Sequence, residues 1–248
     1  LSNQTFWKWI GEDLKETAVG SAIGFPVLLL FYFVLNYFGQ MWWLPFGIVV
    51  FILSVILARI VPIFILPLFY KITPIEDESL KERIIYLSKA AGMKVENVFK
   101  FDMSKNTKKA NAAFTGLGKA KRILLGDTLL ENYSNDEIET VIAHELGHFK
   151  KKHIIKNIIT GTIFSFLTFF LIAHFYSMSV SWFGFNSILQ ISALPLIALW
   201  GSLIGLILEP ITNSLSRKYE YEADEYAVRA TNKKEAFIST LDKLTDQN

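Results

Sequence analysis

A chain of 248 residues is long enough for one large domain or two small ones, and its make-up is 52% hydrophobic and 15% aromatic against 19% charged, too apolar for an ordinary soluble domain of that size. The apolar residues are clustered rather than spread, so a membrane protein with the lipid bilayer as partner is expected. The absence of Cys excludes disulfide staples and thiolate metal sites, leaving His and carboxylates as the available metal ligands, and the net charge of +2 gives no reason to expect a nucleic-acid partner.

The chain opens Leu1-Ser2-Asn3, with no initiating Met and no cleavable signal pattern, which predicts a fragment of a longer protein. Residues 1–70 read as an N-terminal segment with two membrane helices, at about 18–38, where Pro26 is a kink, and about 41–70, broken by Pro62 and Pro67. Residues 71–153 read as a small α/β unit. A helical pattern over 78–91 stops at Gly92, and 98–102 is a strand. Residues 112–115 and 122–125 form a hairpin across a Gly-containing turn at 116–121. Asp127 caps a short helix through Glu131. Ser134-Asn135-Asp136-Glu137 is a capping box opening a helix that runs through Lys152 and is expected to continue into the third span. Residues 154–211 hold two further membrane helices, at about 154–175 and 187–211, and 212–248 is a polar helical tail.

The connections at 39–40 and 176–187 carry no Lys, Arg, Asp or Glu, whereas the Lys and Arg residues lie in the other segments or at span ends facing them. This asymmetry places 1–17, 71–153 and 213–248 on the cytosolic side, with Trp42, Trp43 and Trp182 in the far interfacial belt. Two spans separate 71–153 from the tail, so the two lie on one side of the bilayer and can meet.

His144-Glu145-Leu146-Gly147-His148 is an H-E-x-x-H sequence. Four residues apart on a helix, both imidazoles share a face and can reach one zinc ion per chain. Glu145 lies beside them without taking a ligand position. Zinc lowers the pKa of a bound water toward ~7, and the Glu145 carboxylate can take its proton and pass it to a leaving amine. A third ligand is required, and Glu220, Glu222 and Glu225 in the tail are candidates. Glu220 and Asp224 share a helix face and Glu222 points away from it, which suits Asp224 to accept the outer N–H of a ligand imidazole. His153, nine residues from His144, falls on the opposite helix face and reads as interfacial; His174 reads as packing near the far end of the third span.

Four blocks together, His144–His148, Asn111-Ala-Ala-Phe-Thr-Gly116, Lys121-Arg-Ile-Leu-Leu-Gly-Asp-Thr-Leu-Leu130 and Ser216-Arg-Lys-Tyr-Glu220-Tyr-Glu-Ala-Asp224, resemble the M48 peptidases, and most closely their CAAX prenyl protease branch, the Ste24 type. The HtpX proteases share the zinc motif but fit the Asp127-Thr-Leu-Leu130 block less well. The resemblance implies a mainly α fold, with polytopic transmembrane helices and a small α/β zinc metalloprotease domain of gluzincin type. It implies His144, His148 and Glu220 as zinc ligands and Glu145 as catalytic base. It also implies that Asn111, Ala112, Ala113 and Phe114 resemble the edge strand that pairs with substrate backbone, although Asn111 alone also suits a turn opening a strand. The implied partner is a peptide or protein substrate, with the last three residues of prenylated CAAX proteins as the family's own target and membrane-protein quality control as the HtpX-like alternative. A non-catalytic zinc scaffold would need a fourth protein ligand, and no obvious one is present. The family carries a His and an Arg downstream of the third ligand, which this chain, ending at Asn248, does not supply. Either that pair was lost from the covered region or the protein is a fragment; were the pair truly missing, contact with the developing oxyanion would fall to the zinc or to a residue such as Arg217. The absence of Cys and the Lys/Ile-rich composition favour a bacterial plasma membrane over the endoplasmic reticulum.

Overall fold

The computed structural model describes residues 6–61, 66–105, 107–115 and 121–246. They form α1 (Phe6–Phe38), α2 (Trp43–Ile60), α3 (Leu66–Phe69), β1 (Ile72–Pro74), α4 (Glu78–Ala90), β2 (Val95–Phe101), β3 (Ala112–Thr115), β4 (Lys121–Gly126), α5 (Asp127–Asn132), α6 (Asn135–Lys150), α7 (His153–Trp182), α8 (Pro195–Thr231) and α9 (Lys234–Asp246). The chain divides into two compact units, one of Leu1–Ile10, Leu57–Ile154 and Arg217–Asn248, the other of Gly11–Ile56 and Ile155–Ser216.

The second unit is helical and apolar. Among the described residues, three helices are long and apolar enough to cross a bilayer, Trp9–Met41, His153–Trp182 and Ile191–Thr231, and Trp43–Ala58 is a shorter apolar helix. The expected second span is thus occupied by α2 and the four-residue α3, with the expected break at Pro62 outside the described residues. Trp42, expected in an interfacial belt, is 2% exposed. It packs edge-on against Phe31 and Phe169, so it is a core residue of the second unit, whereas Trp182 is exposed. Buried polar side chains here are satisfied internally: Tyr176 donates to the Ile188 carbonyl and Trp200 Nε1 to Ser179 Oγ.

The first unit is a four-stranded sheet in the order β1-β2-β4-β3 with helices packed against it. β2 and β4 are parallel, with Val98 opposite Ile123. The hairpin partners β3 and β4 are antiparallel, with Ala112 opposite Leu125; their turn, 116–120, lies outside the described residues. β1 was not foreseen, because three residues ending in Pro74 give no alternation to read; it pairs antiparallel with β2. The core joins Leu80 and Ile84 of α4, Val98, Ile123 and Leu125 of the sheet, and Ile138, Ile142 and Leu146 of α6, the last three at four-residue spacing along one stripe.

Local signals explain where the helices start and stop. Asp77 accepts the Leu80 N–H at the start of α4, and Gly92 at φ +84° ends it. Ser134 and Glu137 form the reciprocal capping box at the start of α6. At α5 the cap position falls to Gly126 rather than Asp127. Asp127 is the first helical residue, and its carboxylate is engaged by Ser104 through both the backbone N–H and the hydroxyl. α6 is held on its outer side by charge: Lys243 and Ser239 of α9 reach Glu137 at 2.8 and 2.7 Å, and Arg83 of α4 and Lys233 both reach Glu139. Contrary to expectation, α6 does not run on into α7. It closes at Lys150, Lys152 turns through φ +58°, and a new helix begins at His153.

Candidate metal centre

His144 and His148 lie one turn apart on α6, with Nε2 atoms 3.2 Å from each other. α8 brings Glu220 against them, its Oε2 lying 3.2 Å from His144 Nε2 and 3.5 Å from His148 Nε2. Two imidazole nitrogens and a carboxylate oxygen therefore converge at one point, within the 4.8 Å reach expected of ligands to one ion. The donor set fits zinc by type and by spacing. Bonds of ~2.0–2.1 Å at tetrahedral angles separate neighbouring donors by about 3.3–3.4 Å, and the three observed edges bracket that value.

The close approach of α8 depends on the residue between the two histidines. A Cβ on Gly147 would stand 2.9 Å from Ala223 Cα and 3.1 Å from the Ala223 carbonyl oxygen. Both residues are buried, so the two backbones are in direct contact where α8 crosses α6. A side chain at 147 would hold Glu220 away from the imidazoles.

Each imidazole is oriented from behind. His144 Nδ1 lies 2.8 Å from Asp224 Oδ1, so its outer N–H can donate to the carboxylate. Burial lowers the His144 pKa, but the Asp224 hydrogen bond and the nearby carboxylates outweigh it and make this ring more basic than an ordinary His. Burial and the neighbouring His144 lower the His148 pKa, favouring the neutral form that a metal requires. His148 Nδ1 lies 3.0 Å from Nδ1 of His153, whose Nε2 lies 3.1 Å from Glu222 Oε2. His153 is therefore not interfacial: it is 1% exposed and stacked on Tyr219. Its expected position assumed one unbroken helix, and the turn at Lys152 removes that assumption. The sequence signal available was the Lys150-Lys151-Lys152 run, a polar break between the motif helix and an apolar span. Glu222 does point away from the Glu220 face, as expected, and does so toward His153.

Glu145 is oriented toward a cavity of about 190 Å³ that His144 and Asp224 also line. Burial raises its pKa; His144 opposes this, and Glu220 adds a smaller upward push. The far wall of this cavity is apolar, from Phe237, Leu241 and Leu244 of α9, and Asn111 and Ala112 border it at the start of β3. β3 is an edge strand, paired on one side with β4. The Asn111 carbonyl accepts the Gly126 N–H at 2.8 Å, which extends the β3–β4 pairing by one step and fixes Asn111 at the cavity mouth. Ala113 and Phe114 continue the strand, with Phe114 packed on the core of the unit. Arg217 lies exposed on α8, three residues before Glu220. Among the described residues, no hydrogen bond or ion pair joins it to the histidines, Glu145 or Glu220.

Comparison with known proteins agrees with the motif blocks. The family described as Peptidase family M48 matches residues 74–246, and that described as CAAX prenyl protease N-terminal, five membrane helices, matches residues 1–71. The protein of Saccharomyces cerevisiae named CAAX prenyl protease 1 is 34% identical over 239 residues, covering 88% of this chain and 52% of its own length. The uncharacterized metalloprotease YhfN of Bacillus subtilis is 30% identical over 252 residues, covering 98% of this chain and 58% of its own. The crystal structure of S. mikatae Ste24p superposes with a TM-score of 0.86 at 32% identity, covering 98% of this chain and 62% of that one. This chain thus spans between half and three fifths of the curated relatives' length. The resemblance to the Ste24 branch and the mainly helical membrane fold with a small sheet are both borne out.

Proposed function

We propose that this chain, which belongs to peptidase family M48, acts as a membrane-embedded zinc endopeptidase of the Ste24 type, with His144, His148 and Glu220 holding the metal and Glu145 as general base. The observation that carries this reading is the convergence of the three donor atoms, 3.2–3.5 Å apart, beside the cavity into which Glu145 faces. Zinc bound there supplies Lewis acidity, polarising a substrate carbonyl and making water a better nucleophile near neutral pH.

The remaining steps belong to the chain's own residues. Glu145 takes the proton of the attacking water on a carboxylate oxygen and delivers it to the nitrogen of the leaving amine. The open edge of β3, from Asn111 through Ala112, Ala113 and Phe114, offers backbone hydrogen bonds to an extended peptide, which fixes register with little side-chain preference. The α9 wall beside Glu145 takes an apolar residue next to the scissile bond. Prenylated CAAX chains are the substrate class taken from the name of the yeast relative. Arg217, exposed on α8 three residues before Glu220, is the candidate for contact with a developing oxyanion. The Lys and Arg residues concentrated in 71–153 and 213–248 support a cytosolic side for the metal-bearing unit.

Metal analysis and a farnesylated CAAX peptide test this reading. Purified protein should carry one zinc per chain, and cleavage should be abolished by chelation and restored by zinc. Glu145→Gln should retain the metal while cleavage falls by roughly 10²–10⁴-fold. Undiminished cleavage in that variant removes Glu145 from the chemistry.

A further inference from the structure

We infer that His153 and Glu222 form a positioning relay that sets the tautomer of His148, holding its Nε2 unprotonated for the metal; this rests on the zinc reading above. His153 is 1% exposed, and both ring nitrogens are engaged: Nε2 lies 3.1 Å from Glu222 Oε2 and Nδ1 lies 3.0 Å from His148 Nδ1. A neutral imidazole has one N–H and one lone pair. An ionised carboxylate has no proton to give, so Glu222 accepts from His153 Nε2–H. The His153 lone pair is then on Nδ1, where it accepts from His148 Nδ1–H. That leaves the His148 lone pair on Nε2, the atom that faces His144 Nε2 and Glu220 Oε2.

The arrangement is built rather than incidental. Lys152, immediately before His153, adopts φ +58°, a conformation unfavourable for a residue with a Cβ, and this turn brings His153 back toward α6. Tyr219 of α8 stacks on the imidazole with centroids 4.5 Å apart and planes 19° apart. α8 thus serves the centre three times in five residues. Glu220 faces the metal position, Asp224 orients His144 directly, and Glu222, on the other side of the helix, orients His148 through His153. The two ligand imidazoles are therefore fixed by different routes, one by a carboxylate and one by a carboxylate acting through a second imidazole.

The test is Zn²⁺ affinity of the whole chain by chelator competition, with imidazole tautomers read by nitrogen-15 NMR. His153→Leu fills space but cannot accept a hydrogen bond, and affinity should fall roughly 10–100-fold. Glu222→Gln should fall by a similar factor, because its amide N–H can donate to His153 Nε2 and reverse the direction of the relay. His153→Gln should stay close to wild type, since one amide offers a carbonyl to His148 and an N–H to Glu222; a space-filling role would not separate Gln from Leu. In the metal-free wild type, His148 should carry its proton on Nδ1. A proton on Nε2 overturns the relay even if His153→Leu does not fold, and so does wild-type affinity in both His153→Leu and Glu222→Gln. A wild-type chain that takes up no Zn²⁺ overturns the metal reading instead, and the relay falls with it.

Discussion

Replacing Gly147 by Ala tests the packing that brings the third ligand to the histidines. The added Cβ would stand 2.9 Å from Ala223 Cα, 3.1 Å from the Ala223 carbonyl oxygen and 3.2 Å from Tyr226 Cβ. Non-bonded carbons settle at about 3.5–4.0 Å, so α8 would have to retreat by about 0.6–1.1 Å. Two of these neighbours are backbone atoms, and no rotamer change can relieve the clash. Metal–ligand distances tolerate only about ±0.2 Å, so a retreat of that size carries Glu220 out of bonding range. Overpacking of this kind costs about 1–3 kcal/mol. If that strain falls on the metal-bound arrangement, zinc affinity drops roughly 5–140-fold at 1.4 kcal/mol per decade. Chelator competition measures this directly. Gly161→Ala is the control, because a Cβ there meets nothing within 4 Å. Unchanged zinc affinity in Gly147→Ala would show that the contact between α6 and α8 does not position Glu220.

Two further outcomes follow from the same unit. Glu220→Ala should abolish stoichiometric zinc binding in metal analysis, since it removes the carboxylate oxygen 3.2 Å from His144 Nε2; full zinc content would assign the third ligand elsewhere. Glu137 is pushed up by burial, but Lys243, Ser239 and Ser134 outweigh this and bring its pKa from 4.5 down to about 2. A depressed carboxylate stabilises the fold above its unfolded pKa, and that contribution is lost as pH falls from about 4.5 to 2. With the side chain 6% exposed, the stabilisation at neutral pH is at most about 3 kcal/mol. Thermal unfolding of Glu137→Gln should therefore show a shallower acid slope than wild type across that window, and identical slopes would remove the ion pair from the stability of α6.

The parts of this molecule legible in the sequence are those governed by short-range chemistry. The capping box at Ser134 and Glu137 opens α6 where it was expected, because two backbone donors are satisfied by side chains three residues apart. Gly92 ends α4 through its positive φ, and β3 and β4 pair antiparallel as the two short apolar runs on either side of a Gly-containing stretch led one to expect. Three of the four apolar stretches read as spans coincide with helices long and apolar enough to cross a bilayer, the second being a shorter apolar helix, and the expected meeting of 71–153 with the tail is seen in the approach of Glu220 to His144. Trp42 was misplaced because aromatic residues near a span end suit both an interface and a core. Its burial was decided by Phe31 and Phe169, which lie elsewhere in the chain.

The site was half legible for a related reason. His144 and His148 are four residues apart within one helix, so their phase is fixed by the helical repeat and needs no tertiary information. At 100° per residue, nine residues carry His153 to the face opposite His144, provided the helix is unbroken. One left-handed residue, Lys152, resets that phase and returns the ring to within 3.0 Å of His148. Lys is not a residue that announces such a conformation, as Gly or Asn would be. Glu222 was obscured in turn, because its role depends on a partner whose position the periodicity had reversed. Periodic reasoning therefore holds up to the first break in the helix. Beyond it, the residues that orient a ligand from behind become visible only once the chain's return path is known.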